Sequence, residues 1–186
     1  LDLVSTGLYV NVDMLKEAGI DFGEWIDPEL GSPKSWASFM EGLQQIKDAG
    51  FMACHPGPGV DDQWWINGVL TDQLMWDWKN TMDTLNYDEL RPMEFQVGNI
   101  NQEEVNQRYW CEDWNPFAEE STREEFRIVK EWTEMFPEGW TTDTIQPLDL
   151  FLQGQLCMYW DGTWQVGTIM QDDRRESAFA PFWLPP

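Results

Sequence analysis

The chain has 186 residues, with 34 Asp and Glu against 11 Lys and Arg, for a formal charge of −23. A field of that sign repels phosphate backbones and anionic membrane surfaces, which argues against nucleic acid as a partner. Hydrophobic residues make up 42% of the chain, enough for one folded domain, and the longest apolar run, Leu156 to Trp160, is too short to cross a bilayer.

The 13 tryptophans are the unusual count. Some must pack in a core, because each carries a large apolar area; others suit a surface that grips the flat apolar faces of sugars. Cys54, Cys111 and Cys157 show no CxxC or Cys/His spacing, so no metal is expected, and nothing in the sequence asks for a cofactor. The chain opens on Leu1 without a start methionine, as expected of a processed or excised piece whose export signal lay elsewhere.

In chain order, Gly7 to Asn11 reads as a strand, followed by a helix from about Val12 with Met14, Leu15 and Ala18 on one face. Gly19 stops it, with apolar Ile20 just beyond, the pattern of a Schellman ending. Asp21 to Lys34 is polar and turn-rich. Ser35 then caps a helix whose apolar positions are Trp36, Phe39, Met40, Leu43 and Ile46, with Gly50 closing it. Phe51 to Cys54 reads as a strand, and a Gly/Pro-rich loop leads to a helix carrying Trp64, Trp65, Val69, Leu70 and Leu74.

The middle, about 76 to 117, reads as short helices and loops. Ser121 and Glu124 form an S-x-x-E capping box opening a helix through Phe126, Val129, Trp132, Thr133 and Phe136. Pro147 suits the first turn of a helix with Leu148, Phe151 and Leu152 as its apolar positions. Leu156 to Trp160 reads as a buried strand, Asp161-Gly162 turns it, and Thr163 caps a helix containing Trp164, Val166, Ile169 and Met170. Ala178 to Leu184 is a closing strand. Strands alternating with helices make an α/β, helix-rich unit with a small sheet.

Two stretches carry a resemblance. GLYVNVDMLKEAGI (7–20) with PKSWASFMEGLQQIKDAG (33–50), and FLQGQLCMYWDGTW (151–164), are similar to segments of the extracellular solute-binding proteins of ABC transporters, the carbohydrate-binding family that includes maltose-binding protein. EEFRIVKEWTEMFPEGW (124–140) looks like that family's helix before the second segment. Ser35 stands where threonine is usual and Cys157 where alanine is usual. The resemblance implies one half of a two-lobed, type II periplasmic-binding-protein-like fold. Residues 1–186 would be the second lobe, with the first lobe, signal peptide and any lipid-anchor cysteine outside the chain. It further implies a receptor rather than an enzyme, capturing a carbohydrate for an ABC membrane permease, either periplasmic or as a cell-surface lipoprotein. Leu1 and Pro186 would then lie near each other, and the lobe alone would bind weakly.

In α/β sheets ligands gather at the carboxyl ends of strands, where helix N-termini offer free amides. Trp160-Asp161-Gly162-Thr163-Trp164 is such a junction. Gly162 leaves room for close approach, Asp161 can accept sugar hydroxyls, and Trp164 stands where the family stacks a ring on sugar. Trp160 is counted with them. Trp64 and Trp65 start a helix at a place where the family also lines the cleft; being adjacent they point about 100° apart, so one belongs to the core. Asp62 joins them as a candidate, beside Asp61, although both also suit a positive helix start. Trp36, Trp132 and Trp140 read as packing.

The rival reading is a glycoside hydrolase, which needs two carboxylates across a scissile bond. The acidic pairs here, such as Glu103-Glu104, Glu119-Glu120 and Asp172-Asp173, are adjacent in sequence and read as solvated. A non-transport carbohydrate-binding module, and a receptor for another solute such as an amine, are further alternatives.

Overall fold

The computed structural model describes residues 6–56, 102–140, 146–173 and 177–185. The chain divides into two compact units, one of Leu1–Gln63 with Glu131–Pro186 and the other of Trp64–Lys130.

The first unit is built on a mixed sheet of four strands. These are β1 (Thr6–Asn11), β4 (Met52–His55), β5 (Leu156–Gly162) and β6 (Phe179–Phe182), in the spatial order β4-β5-β1-β6. β5 runs parallel to β4 and antiparallel to β1, and β1 is antiparallel to β6. Every residue of β5 is buried, which is why its first five residues, Leu156–Trp160, form a continuous apolar run rather than an alternation; Asp161 and Gly162, expected to turn the chain, continue the strand and pair with Gly7 and Thr6. Leu8 pairs with Trp160 on one side and Phe182 on the other. The segments before β1 and after β6 therefore leave the same end of the sheet; Leu1 and Pro186 themselves lie outside the described residues.

Helices α6 (Pro147–Leu152) and α7 (Gln165–Gln171) help close one core layer. Here Tyr9, Tyr159, Leu156, Phe151, Leu152 and Ile169 cluster, with the Tyr9 and Tyr159 rings stacked at 5.5 Å. A second layer is aromatic. Trp132, fully buried, stands edge-on to Trp36 and Phe39 at 6.0 Å and to Trp160 at 6.5 Å. Helix α3 (Trp36–Asp48) supplies Phe39, Leu43 and Ile46 at helical spacing, and the Ser35 hydroxyl accepts from the Ser38 amide at 3.2 Å as the sequence predicts. Helix α1 (Val12–Glu17) ends at Gly19, φ 83°, with the Ile20 amide donating to the Leu15 carbonyl at 3.0 Å, the expected Schellman ending.

The turn-rich stretch after it holds a one-turn helix, α2 (Phe22–Trp25), and a two-strand ribbon of β2 (Ile26–Asp27) and β3 (Ser32–Pro33). In the second unit the described elements are α4 (Gln102–Cys111), a 3-10 turn at Pro116–Ala118, and α5 (Glu120–Thr133), whose last residues belong to the first unit. Helix α5 starts at Glu120, so Ser121 sits inside the first turn rather than capping it. The preceding 3-10 turn, capped by Asn115, and the bond from the Trp114 indole to Glu119 at 2.9 Å fix that earlier start. Phe126, expected to face inward, is exposed, while Ile128 is buried.

Among the described residues no helix is long and apolar enough to cross a membrane, and no group of His, Cys, Asp and Glu is placed to hold a metal ion.

Candidate ligand-binding site

The carboxyl ends of β5 and β6 meet the start of β1 at one end of the sheet, where Thr6 pairs with Gly162 and Gly7 with Asp161. A cavity of about 180 Å³ opens there, with Thr6, Gly7, Tyr9, Asp161, Thr163 and Trp183 among its lining residues. Asp161 is the one carboxylate among the described lining residues.

Trp164 occupies the position before α7 in right-handed helical conformation, φ −62° and ψ −25°, and no side chain caps the helix. The helix start falls one residue later than expected, at Trp164 rather than Thr163, with the Val166 amide donating to the Thr163 carbonyl at 3.3 Å. The turn folds the Trp164 ring back over Gly162: a Cβ there would stand 2.1 Å from ring atom Cη2. The indole also hydrogen-bonds to the Asp161 carboxylate. Held at both places, the side chain is still 52% exposed. It presents an oriented aromatic surface.

Asp161 is 5% exposed, and its Oδ1 accepts from the Gly162 amide at 2.7 Å. Burial raises its pKa above the ordinary carboxylate value; the Gly162 amide and the Gln165 and Trp164 side chains pull the other way. Its carboxylate is therefore engaged first by the Gly162 amide and then by the Gln165 and Trp164 side chains, with the cavity as its remaining outlet. The Tyr9 hydroxyl donates to the Gly162 carbonyl at 2.7 Å. Burial, and then the Asp161 charge, push that phenol up to about 12, so it stays a neutral donor at physiological pH.

Of the residues expected to touch ligand, Trp164, Asp161 and Gly162 come together at this end of the sheet. Trp160 does not join them. It is 2% exposed and packs against Trp132, because successive residues of a strand point to opposite faces and Asp161 takes the cavity side. Trp64, Trp65 and Asp62 lie outside the described residues. Trp36, Trp132 and Trp140 all make ring contacts in packing positions.

Trp183 was missed from the sequence. It is 49% exposed, its amide donates to the Gly31 carbonyl at 2.9 Å, and its ring lies against Gly31 and Gly7. The signal was the alternation around it: Phe182 and Leu184 are buried at 3% and 6%, which turns the residue between them outward.

The family model for bacterial extracellular solute-binding proteins matches residues 1–186, and the chain belongs to that family. Among solved structures it is similar to a chitin oligosaccharide binding protein, at TM-score 0.59 and 17% identity, over 98% of this chain and 39% of that one. RafE in complex with raffinose gives TM-score 0.60 and 17% identity over 98% and 40%. A Streptococcus pneumoniae solute-binding protein in complex with the blood group A-trisaccharide gives 0.54 and 17% over 97% and 36%. At such identities the likeness is one of fold, and the chain spans about two fifths of the length of these structures. No curated protein matches the chain.

Proposed function

We propose that this chain is the ligand-contacting lobe of a two-lobed receptor that captures a carbohydrate outside the membrane and delivers it to an ABC permease. The observation that carries the reading is the Trp164 indole, half exposed, seated on Gly162 and tied to Asp161 beside a cavity at the carboxyl end of β5. A fixed aromatic face with a polar group next to it suits a sugar ring, which offers a flat apolar side and a rim of hydroxyls. Solved structures of the same fold in complex with raffinose and with the blood group A-trisaccharide support the choice of ligand class. The lobe assignment is supported by the share of those structures that the chain spans and by the shared exit of β1 and β6.

The test is calorimetric titration of the receptor at its native length with raffinose, chitotriose and the blood group A-trisaccharide. Covering about 80 Å² of indole at about 25 cal/mol per Å² contributes roughly 2 kcal/mol, so Trp164→Ala should weaken the best of these sugars about thirtyfold. The unliganded Tm should hardly move. Wild-type protein that binds none of the three, or a variant that binds as tightly as wild type, would falsify the reading.

A further inference from the structure

We infer that Trp183 is a second ligand contact, and that the space between it and Asp161 is an end pocket for one neutral sugar ring. The inference rests on the sugar reading above and adds the residue and the ligand chemistry. Trp183 lies in the wall of the same cavity as Asp161. Gly7 connects the two, pairing with Asp161 across β1 and β5 while its Cα side lies against the indole: a Cβ on Gly7 would be 3.5 Å from ring atom Cε3.

The indole is set in place by three local features. Its own amide is bonded to the Gly31 carbonyl at 2.9 Å. Phe182 and Leu184, buried on either side, prevent the segment from rolling the ring inward. Gly31, at φ 66°, gives the ring its seat, since a Cβ there would stand 3.0 Å from ring atom Cδ1. A large apolar side chain so fixed and still half exposed is preorganised to meet a flat apolar face, and preorganisation lowers the ordering cost of binding.

The size and charge of the cavity narrow the ligand. A cavity of about 180 Å³ can take up a sugar ring, and because it is open a longer ligand would insert one end. No Lys, Arg or His is among the described lining residues, and the single ionisable carboxyl is Asp161. An acidic sugar would meet that carboxyl within a chain of net charge −23, with no cation in this wall to pair with it. Uronate-ended sugars should therefore be rejected.

The experiment titrates the native-length receptor and its Trp183→Ala and Trp183→Leu variants with raffinose, chitotriose and the blood group A-trisaccharide, plus trigalacturonate as the acidic probe. Expected are a loss of about tenfold or more for the tightest neutral sugar in both variants and no measurable binding of trigalacturonate. Trp183→Leu keeps apolar packing on Gly31 and Gly7 while removing the flat face, so its unliganded Tm should stay near wild type. If Trp183→Ala fails to fold, the leucine variant alone decides. Affinities within twofold of wild type in the folded variants, while Trp164→Ala is weakened, overturn the Trp183 contact and leave the sugar reading standing. Trigalacturonate bound as tightly as the neutral sugars overturns the neutral pocket. Absence of any sugar binding by wild type overturns the sugar reading itself.

Discussion

The Trp164 ring rests on Gly162 so closely that a Cβ at residue 162 would fall 2.1 Å from its Cη2 atom. Gly162 is not in the left-handed backbone region, so alanine suits its main chain and the conflict is with the indole alone. Gly162→Ala should therefore displace the ring and cost about as much sugar affinity as Trp164→Ala, roughly thirtyfold. Its unliganded Tm should change little. Titration of the two variants side by side checks this; a Gly162→Ala protein with wild-type affinity would mean that the platform does not depend on its seat.

Asp161 makes stability depend on pH in a direction opposite to most surface carboxylates. Its folded pKa is raised above the ordinary 3.8, chiefly by burial. The stability from this group is thus fully present below about pH 3.8 and lost as pH rises through the folded value, because the buried form must then carry a charge that the unfolded chain solvates. Asparagine at 161 never charges. The difference in unliganded Tm between Asp161→Asn and wild type should therefore shift in favour of the variant between pH 3.5 and pH 7. A constant or reversed difference would show that the donors from Gly162, Gln165 and Trp164 outweigh burial.

Trp132 and Trp110 form a matched pair for stability. Trp132 is fully buried within the aromatic layer, whereas Trp110 is 76% exposed. Trp132→Ala should destabilise the protein by about 3–5 kcal/mol, and Trp110→Ala by no more than about 0.5 kcal/mol. Urea unfolding curves separate these outcomes. Comparable losses in both would place Trp110 in an interaction of its own.

The cysteines should differ sharply in reactivity. Cys54 and Cys157 are buried and Cys111 is exposed. Burial pushes both buried thiols up, that of Cys157 to about 12, which removes the reactive thiolate. Iodoacetamide at pH 8 should modify Cys111 alone in native protein and all three cysteines after denaturation. Peptide mass spectrometry reads the pattern, and native labelling of Cys54 or Cys157 would indicate that the sheet opens on the labelling timescale.

Much of the fold was legible because its signals are local. The Ser35 cap, the Gly19 ending, Pro147 in the first turn and the apolar run of β5 each act within a few residues, and each lies where the spacing predicts it. The site was less legible because it depends on which tryptophans other elements cover. Trp160 and Trp164 have similar neighbours in sequence, yet Trp132 covers the first and Gly162 seats the second. Trp183 depends on Gly31 and Gly7, both more than 150 positions earlier in the chain. The start of α5 at Glu120 was obscured because Ser121 and Glu124 imitate a capping box two residues too late.

Each pairing in the main sheet involves β1 or β5, and the Tyr9 hydroxyl finds its partner at Gly162, 153 positions away. Closing a loop of that length costs about 4 kcal/mol in the logarithmic term alone, before any contact offsets it. Such non-local topology slows folding. A chain emerging with its amino end first can form α3 and other local helices, but β1 waits unpaired until residues of β5 and β6 appear. The main sheet is therefore completed late in the order of the sequence, and its two central strands meet only after the helices between them have been made.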